Sequence, residues 1–223
     1  MKPGTRRLVG LATGILLGGG LVAYSSEYGL HRPGPMNTGH AELACSSCHH
    51  SAPGTIRQQL QNAARDALGI ASAPVDIGFA PVTSDDCIAC HDRPKDRHPV
   101  YRFLEPRFAE ARAALHPERC VSCHREHSGT RVTVADTTFC RHCHADTTVE
   151  NDPLDISHRT LIATQQWTSC LGCHDFHGNH GVSAPHRVDE AIDSHQIERY
   201  FAGGPSPYPP PIVHAIQRKD TSP

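Results

Sequence analysis

Ten cysteines and five histidines fall into one phrase that the chain writes five times. It reads Cys45-Ser-Ser-Cys48-His49, Cys87-Ile-Ala-Cys90-His91, Cys120-Val-Ser-Cys123-His124, Cys140-Arg-His-Cys143-His144 and Cys170-Leu-Gly-Cys173-His174. No cysteine stands outside it. Two thiols with two residues between them reach the two vinyl groups of one porphyrin, and the histidine that follows supplies an axial nitrogen to the iron. Cys-x-x-Cys-His is therefore the attachment signature of a c-type haem. Zinc, disulfide and dithiol readings of Cys-x-x-Cys place no demand on the next residue. Histidine fills 18 of 223 positions, so five matches by chance are on the order of one in a hundred thousand. The cofactors expected are five covalently attached c-type haems, held by Cys45, Cys48, Cys87, Cys90, Cys120, Cys123, Cys140, Cys143, Cys170 and Cys173, with His49, His91, His124, His144 and His174 as proximal ligands.

Thirteen further histidines are available for the opposite axial positions, whereas Met36 is the only methionine besides the initiator. Methionine cannot serve five irons and histidine can. Two imidazoles stabilise ferric iron better than imidazole and thioether, so closed, low-potential sites are expected.

The stretch His40-Ala-Glu-Leu-Ala-Cys45-Ser-Ser-Cys48-His49-His50 resembles the first haem site of the class III tetrahaem cytochromes c. In that family the histidine five residues before the first cysteine ligates a different haem, and the histidine doubled after the motif ligates another. The resemblance implies that His40 and His50 are distal ligands. The family's further histidine, three residues earlier, is here Asn37, so its role passes to another residue, with His31 as a candidate. The rest of the chain resembles the broader multihaem cytochromes c at motif level. His127 and His177 each lie three places after a proximal histidine, and Ile156-Ser-His158 resembles an element that precedes haem motifs and ligates iron. The distal set expected is His40, His50, His98, His127 and His158, followed by His116 and His177. His142 lies within its own motif loop and points away from that iron. His180, His186, His195 and His214 read as solvated or supporting residues.

The elements that must position these ligands are short. Aromatic residues are 5% of the chain, with 18 glycines and 18 prolines, too few large apolar side chains for an ordinary core of this length. The fold class expected is mainly α with much irregular loop and few or no strands, wrapped thinly around its cofactors. Thr55 opens a helix to about Leu68, closed by Gly69, with Ile56, Leu60, Ala64 and Ala67 at helical spacing. Pro99 can start a helix and Pro106 can restart one. Phe108, Ala111, Arg112 and Leu115 share a face that leads to His116, and Val188, Ile192 and His195 share another on a helix ending near Gly203. Only 16 residues separate Cys123 from Cys140, so the third and fourth motifs must be near neighbours.

Lys2, Arg6 and Arg7 precede the uncharged run 8–26, a positive region followed by an apolar one that directs export. Residues 1–26 form a membrane anchor or a signal peptide, 27–39 a tether, 40–202 the pentahaem domain and 203–223 a proline-rich tail. The anchor reading puts the haem domain on the periplasmic face of the inner membrane, and cleavage would release it there. A net charge of −2 with no basic stripe gives nucleic-acid binding no support. The function expected is electron relay between a redox protein donor and acceptor, within a larger respiratory or extracellular electron-transfer complex, rather than enzymatic catalysis. An anchored quinol dehydrogenase is the alternative, and a reductase of small nitrogen or sulfur oxyanions a more distant one.

Overall fold

The computed structural model describes residues 10, 12–20, 34–37, 39–70, 76–93, 95–134 and 137–215, in two units, Met1–Pro35 and Met36–Pro223. In the first unit, residues 12–20 form an exposed helix, α1. Among the described residues no helix is long and apolar enough to cross a membrane. The remainder of the 1–26 segment, His31 and most of the tether lie outside the described residues.

The second unit is a series of short helices and 3-10 turns. The helices are α2 (Ile56–Ala67), α3 (Ser84–His91), α4 (Ala109–Leu115), α5 (Arg141–His144), α6 (His158–Ala163), α7 (Cys170–Cys173) and α8 (Ser194–Phe201). Among the described residues there is no strand, only the isolated bridges Ser51–Phe79 and His180–Pro211. The fold is mainly α with much irregular loop, as expected.

Local chemistry sets these boundaries. Thr55 and Gln58 form a reciprocal capping box at the start of α2, and Gly69 leaves its end at φ +67, a conformation glycine adopts without strain. Pro99 precedes a 3-10 turn, Val100–Leu104, and Pro106 opens a second that runs into α4. α4 ends where His116 turns left-handed at φ 48. The face read from Val188 to His195 is not one helix. Val188–Glu190 is a 3-10 turn, Ala191 is extended, and Asp193 caps a new helix by accepting from the His195 amide. The Ile192 amide is meanwhile drawn to Gly172 O at 3.1 Å.

The apolar core lies where α7, α8 and the C-terminal segment meet. Ile197 is fully buried beside Leu171 and Tyr208, flanked by Phe139, Phe176, Val182, Ile192, Tyr200 and Phe201. The proline-rich segment from Gly203 is therefore not a free tail. The Tyr208 hydroxyl donates to Leu171 O at 2.9 Å, and the Ile212 amide donates to Asn179 O at 2.7 Å. One aromatic anchor and one bridge hold down a strap that composition alone reads as unstructured. Residues 216–223 lie outside the described residues.

Candidate metal centres

Every Cys-x-x-Cys-His phrase is folded as a tight helical turn. Cys45–Ser47 and Cys120–Ser122 are 3-10, while the second, fourth and fifth motifs enter α3, α5 and α7. In the first, third and fifth, the histidine amide donates to the carbonyl of the leading cysteine at 2.9 Å. Residues three apart on a turn share a side, so both sulfurs face one way and the histidine follows beside them.

Each proximal histidine stands opposite one other histidine. Numbering the sites by motif, His49 faces His127 with ring centroids 6.3 Å apart, and His91 faces His40 at 5.9 Å. His124 faces His177 at 6.1 Å, His144 faces His98 at 6.1 Å, and His174 faces His158 at 6.2 Å. Two imidazoles that bind one metal from opposite sides, with metal–nitrogen bonds of about 2.0 Å, place their centroids about 6 Å apart. The residues present fit a haem iron at all five positions.

The second ring nitrogens agree with that fit. A metal-bound histidine uses its other N–H on a carboxylate or carbonyl, which fixes tautomer and orientation. His40 Nδ1 lies 2.5 Å from Glu126 Oε1, His177 Nδ1 3.1 Å from Asp96 Oδ2, and His158 Nδ1 3.0 Å from both Asp152 oxygens. His98 Nδ1 donates to Phe176 O at 2.5 Å and His124 Nδ1 to Arg131 O at 2.9 Å. His144 Nδ1 lies 3.2 Å from Thr147 Oγ1. Each arrangement leaves Nε2 for the iron. Burial also pushes His91, His98, His124 and His174 below the usual imidazole range, favouring the neutral form that ligates metal.

His50 is the exception among the expected distal residues. Its exposed ring gives Nε2 to Asp86 at 3.0 Å, so the nitrogen needed for iron is already engaged. The remaining proximal histidine, His124, is faced by His177 instead. The signal was present in the sequence, because His177 and His127 share the spacing of three after a proximal histidine. Asn37 contacts the carboxylate beside His40. It is buried, and its amide and side-chain nitrogen both donate to Glu126 at 3.1 Å, steadying the carboxylate that holds His40. The His116 ring lies 3.4 Å from Glu118 Oε1. His142, His186, His195 and His214 are exposed, and His180 bonds Asp175 at 2.9 Å and stacks on Tyr208.

Neighbouring sites touch. The Cys87 and Cys120 side chains adjoin, and the Cys120 amide donates to Ser84 Oγ at 3.2 Å, at the start of the helix that carries Cys87. The Cys140 and Cys170 side chains adjoin as well. Sites 2 and 3, and sites 4 and 5, thus meet at their leading cysteines. Sites 1 and 2 meet through Glu126, which holds His40 and precedes His127 in the chain. Sites 3 and 4 meet through Phe176, whose ring lies 4.1 Å from His98 and 4.9 Å from His177. The short 123–140 loop does make sites 3 and 4 neighbours, but the sulfur contacts fall at the junctions on either side.

Residues 37–145 match the family model described as Cytochrome c3, a stretch that contains the first four motifs. The match supports a multihaem c-type cytochrome with covalently bound haem and a role in electron transfer. Comparison with curated proteins and with solved structures gave no significant match.

Proposed function

We propose that the chain is a pentahaem electron relay, with one haem on each motif and the ligand pairs His49/His127, His91/His40, His124/His177, His144/His98 and His174/His158. Bound there, haem supplies an iron that takes up and gives back single electrons. The observation that carries the reading is the set of five histidine pairs, all with centroids between 5.9 and 6.3 Å. Because every proximal histidine has an opposite imidazole, the chain favours closed sites over an open one at which a substrate would bind. That supports a relay over a reductase.

The contacts between sites support a series in sequence order from 1 to 5. Glu126, the Cys87/Cys120 contact, Phe176 and the Cys140/Cys170 contact are the successive links. Sites 1 and 5 are the ends, where a redox donor and an acceptor dock. The basic N-terminus and apolar run support a periplasmic unit tethered to the inner membrane, working within a larger respiratory or extracellular electron-transfer complex.

Intact-mass measurement of the holoprotein should find five haem additions, and its oxidised form should show only low-spin ferric signals in electron paramagnetic resonance. Fewer additions, or a stoichiometric high-spin signal, would overturn the relay as drawn.

A further inference from the structure

The five histidine pairs have similar separations but not similar orientations. Their ring planes meet at 22° in His49/His127, 32° in His124/His177, 35° in His158/His174 and 51° in His40/His91. In His98/His144 they meet at 84°. The outlier has a visible cause. Phe176 is stacked on His98 at 4.1 Å and 9°, and its main-chain carbonyl receives the His98 Nδ1 proton. The buried Phe103 lies parallel as well, at 6.4 Å and 9°, and its carbonyl accepts from Arg112 Nη1. Phe176 cannot easily rotate, because Phe139 meets it edge-on at 5.6 Å and it packs against the Leu171–Ile197–Tyr208 cluster. The His98 plane is thus set by the apolar core.

We propose that Phe176 is a positioning residue for the fourth site, holding His98 crossed to His144 so that this site alone has perpendicular axial ligands. The inference rests on the bis-histidine pairs proposed above. In low-spin ferric iron, nearly parallel imidazole planes split the two d orbitals that bond to them and give a rhombic resonance. Crossed planes bring those orbitals close to degeneracy and move the largest g value well upward. Site 4 should therefore be electronically distinct from its neighbours in a row built of identical ligands. Phe176 also meets His177 edge-on at 4.9 Å, so the residue that sets one site borders the next.

The test is electron paramagnetic resonance of the oxidised holoprotein beside Phe176→Leu and Phe176→Tyr, with haem content checked by mass. The unaltered protein should show one highly anisotropic low-spin signal holding about one fifth of the iron, the rest being rhombic. Phe176→Leu should move that signal toward the rhombic set with the haem count unchanged, while Phe176→Tyr, which keeps the stacked ring, should retain it. If Phe176→Leu yields no holoprotein, Phe103→Leu takes its place and should broaden or shift the same signal. Only rhombic signals in the unaltered protein, or a large-g signal indifferent to Phe176→Leu, would overturn the inference while leaving the five-haem relay standing. High-spin iron or missing haem in the unaltered protein would instead overturn the relay.

Discussion

A histidine has two ring nitrogens, and the one left free decides whether it can hold iron. His40, His98, His158 and His177 have Nδ1 engaged by a carboxylate or a carbonyl, whereas His50 has Nε2 engaged by Asp86. His177→Ala should therefore open one iron, giving a high-spin ferric signal from a single site, while His50→Ala should leave every site low-spin. Equal spectra from the two variants would overturn the assignment. The supporting carboxylates should matter too. Asp152→Ala removes the partner that orients His158, and loss of such a partner weakens metal binding about ten- to a hundredfold. Added cyanide should displace His158 from the fifth site more readily by that order, as read by optical titration. The cysteines and proximal histidines are legible in sequence because their geometry is local to one turn. The distal histidines are legible only as a shortlist. Spacing marks His127 and His177 alike, but which iron each meets, and that Asp86 takes His50, depends on residues dozens of positions away.

Helices here serve as short brackets, and close backbone approach fixes how they sit. A Cβ added at Gly172 in α7 would lie 2.5 Å from the Ile192 carbonyl oxygen, which is too close for either backbone to remain in place. Gly172→Ala should cost about 1–3 kcal/mol as overpacking, seen as a lower denaturation midpoint with an unchanged slope. An unchanged midpoint would mean that the segment before α8 yields freely. The α2 helix was readable end to end, since its cap, its periodic face and its terminating glycine all lie within one stretch. The α8 helix was not. Val188, Ile192 and His195 keep helical spacing, but the long-range pull of Gly172 on Ile192 and the capping by Asp193 break the run. The C-terminal strap escaped for a similar reason. Its prolines speak for an open tail, and only the burial of Tyr208 against Leu171 and Ile197 overrides them.

The polypeptide itself buries eight apolar residues among those described, namely Ala52, Phe103, Ala111, Trp167, Leu171, Cys173, Ile197 and Tyr208. Side chains such as Leu43, Ile56, Leu60, Phe79 and Leu104 remain exposed on the protein surface. So small a core cannot offset the chain entropy of a unit this long, and ligand binding must be part of its folding free energy. Produced without haem attachment, the chain should lack cooperative thermal unfolding by circular dichroism; a sharp transition would show that the protein core suffices. The proposed ligand pairs also impose an order in time. Sites 2, 4 and 5 draw their partner from earlier in the chain, since His40 precedes His91, His98 precedes His144 and His158 precedes His174. Site 1 waits for His127, and site 3 waits for His177. A chain delivered N-terminus first therefore completes the middle of the row last. In a maturation time course the final site to turn low-spin should be the third, and the His177→Ala protein should carry the spectrum of that last intermediate. Until His177 arrives, the two halves of the relay are built but not joined.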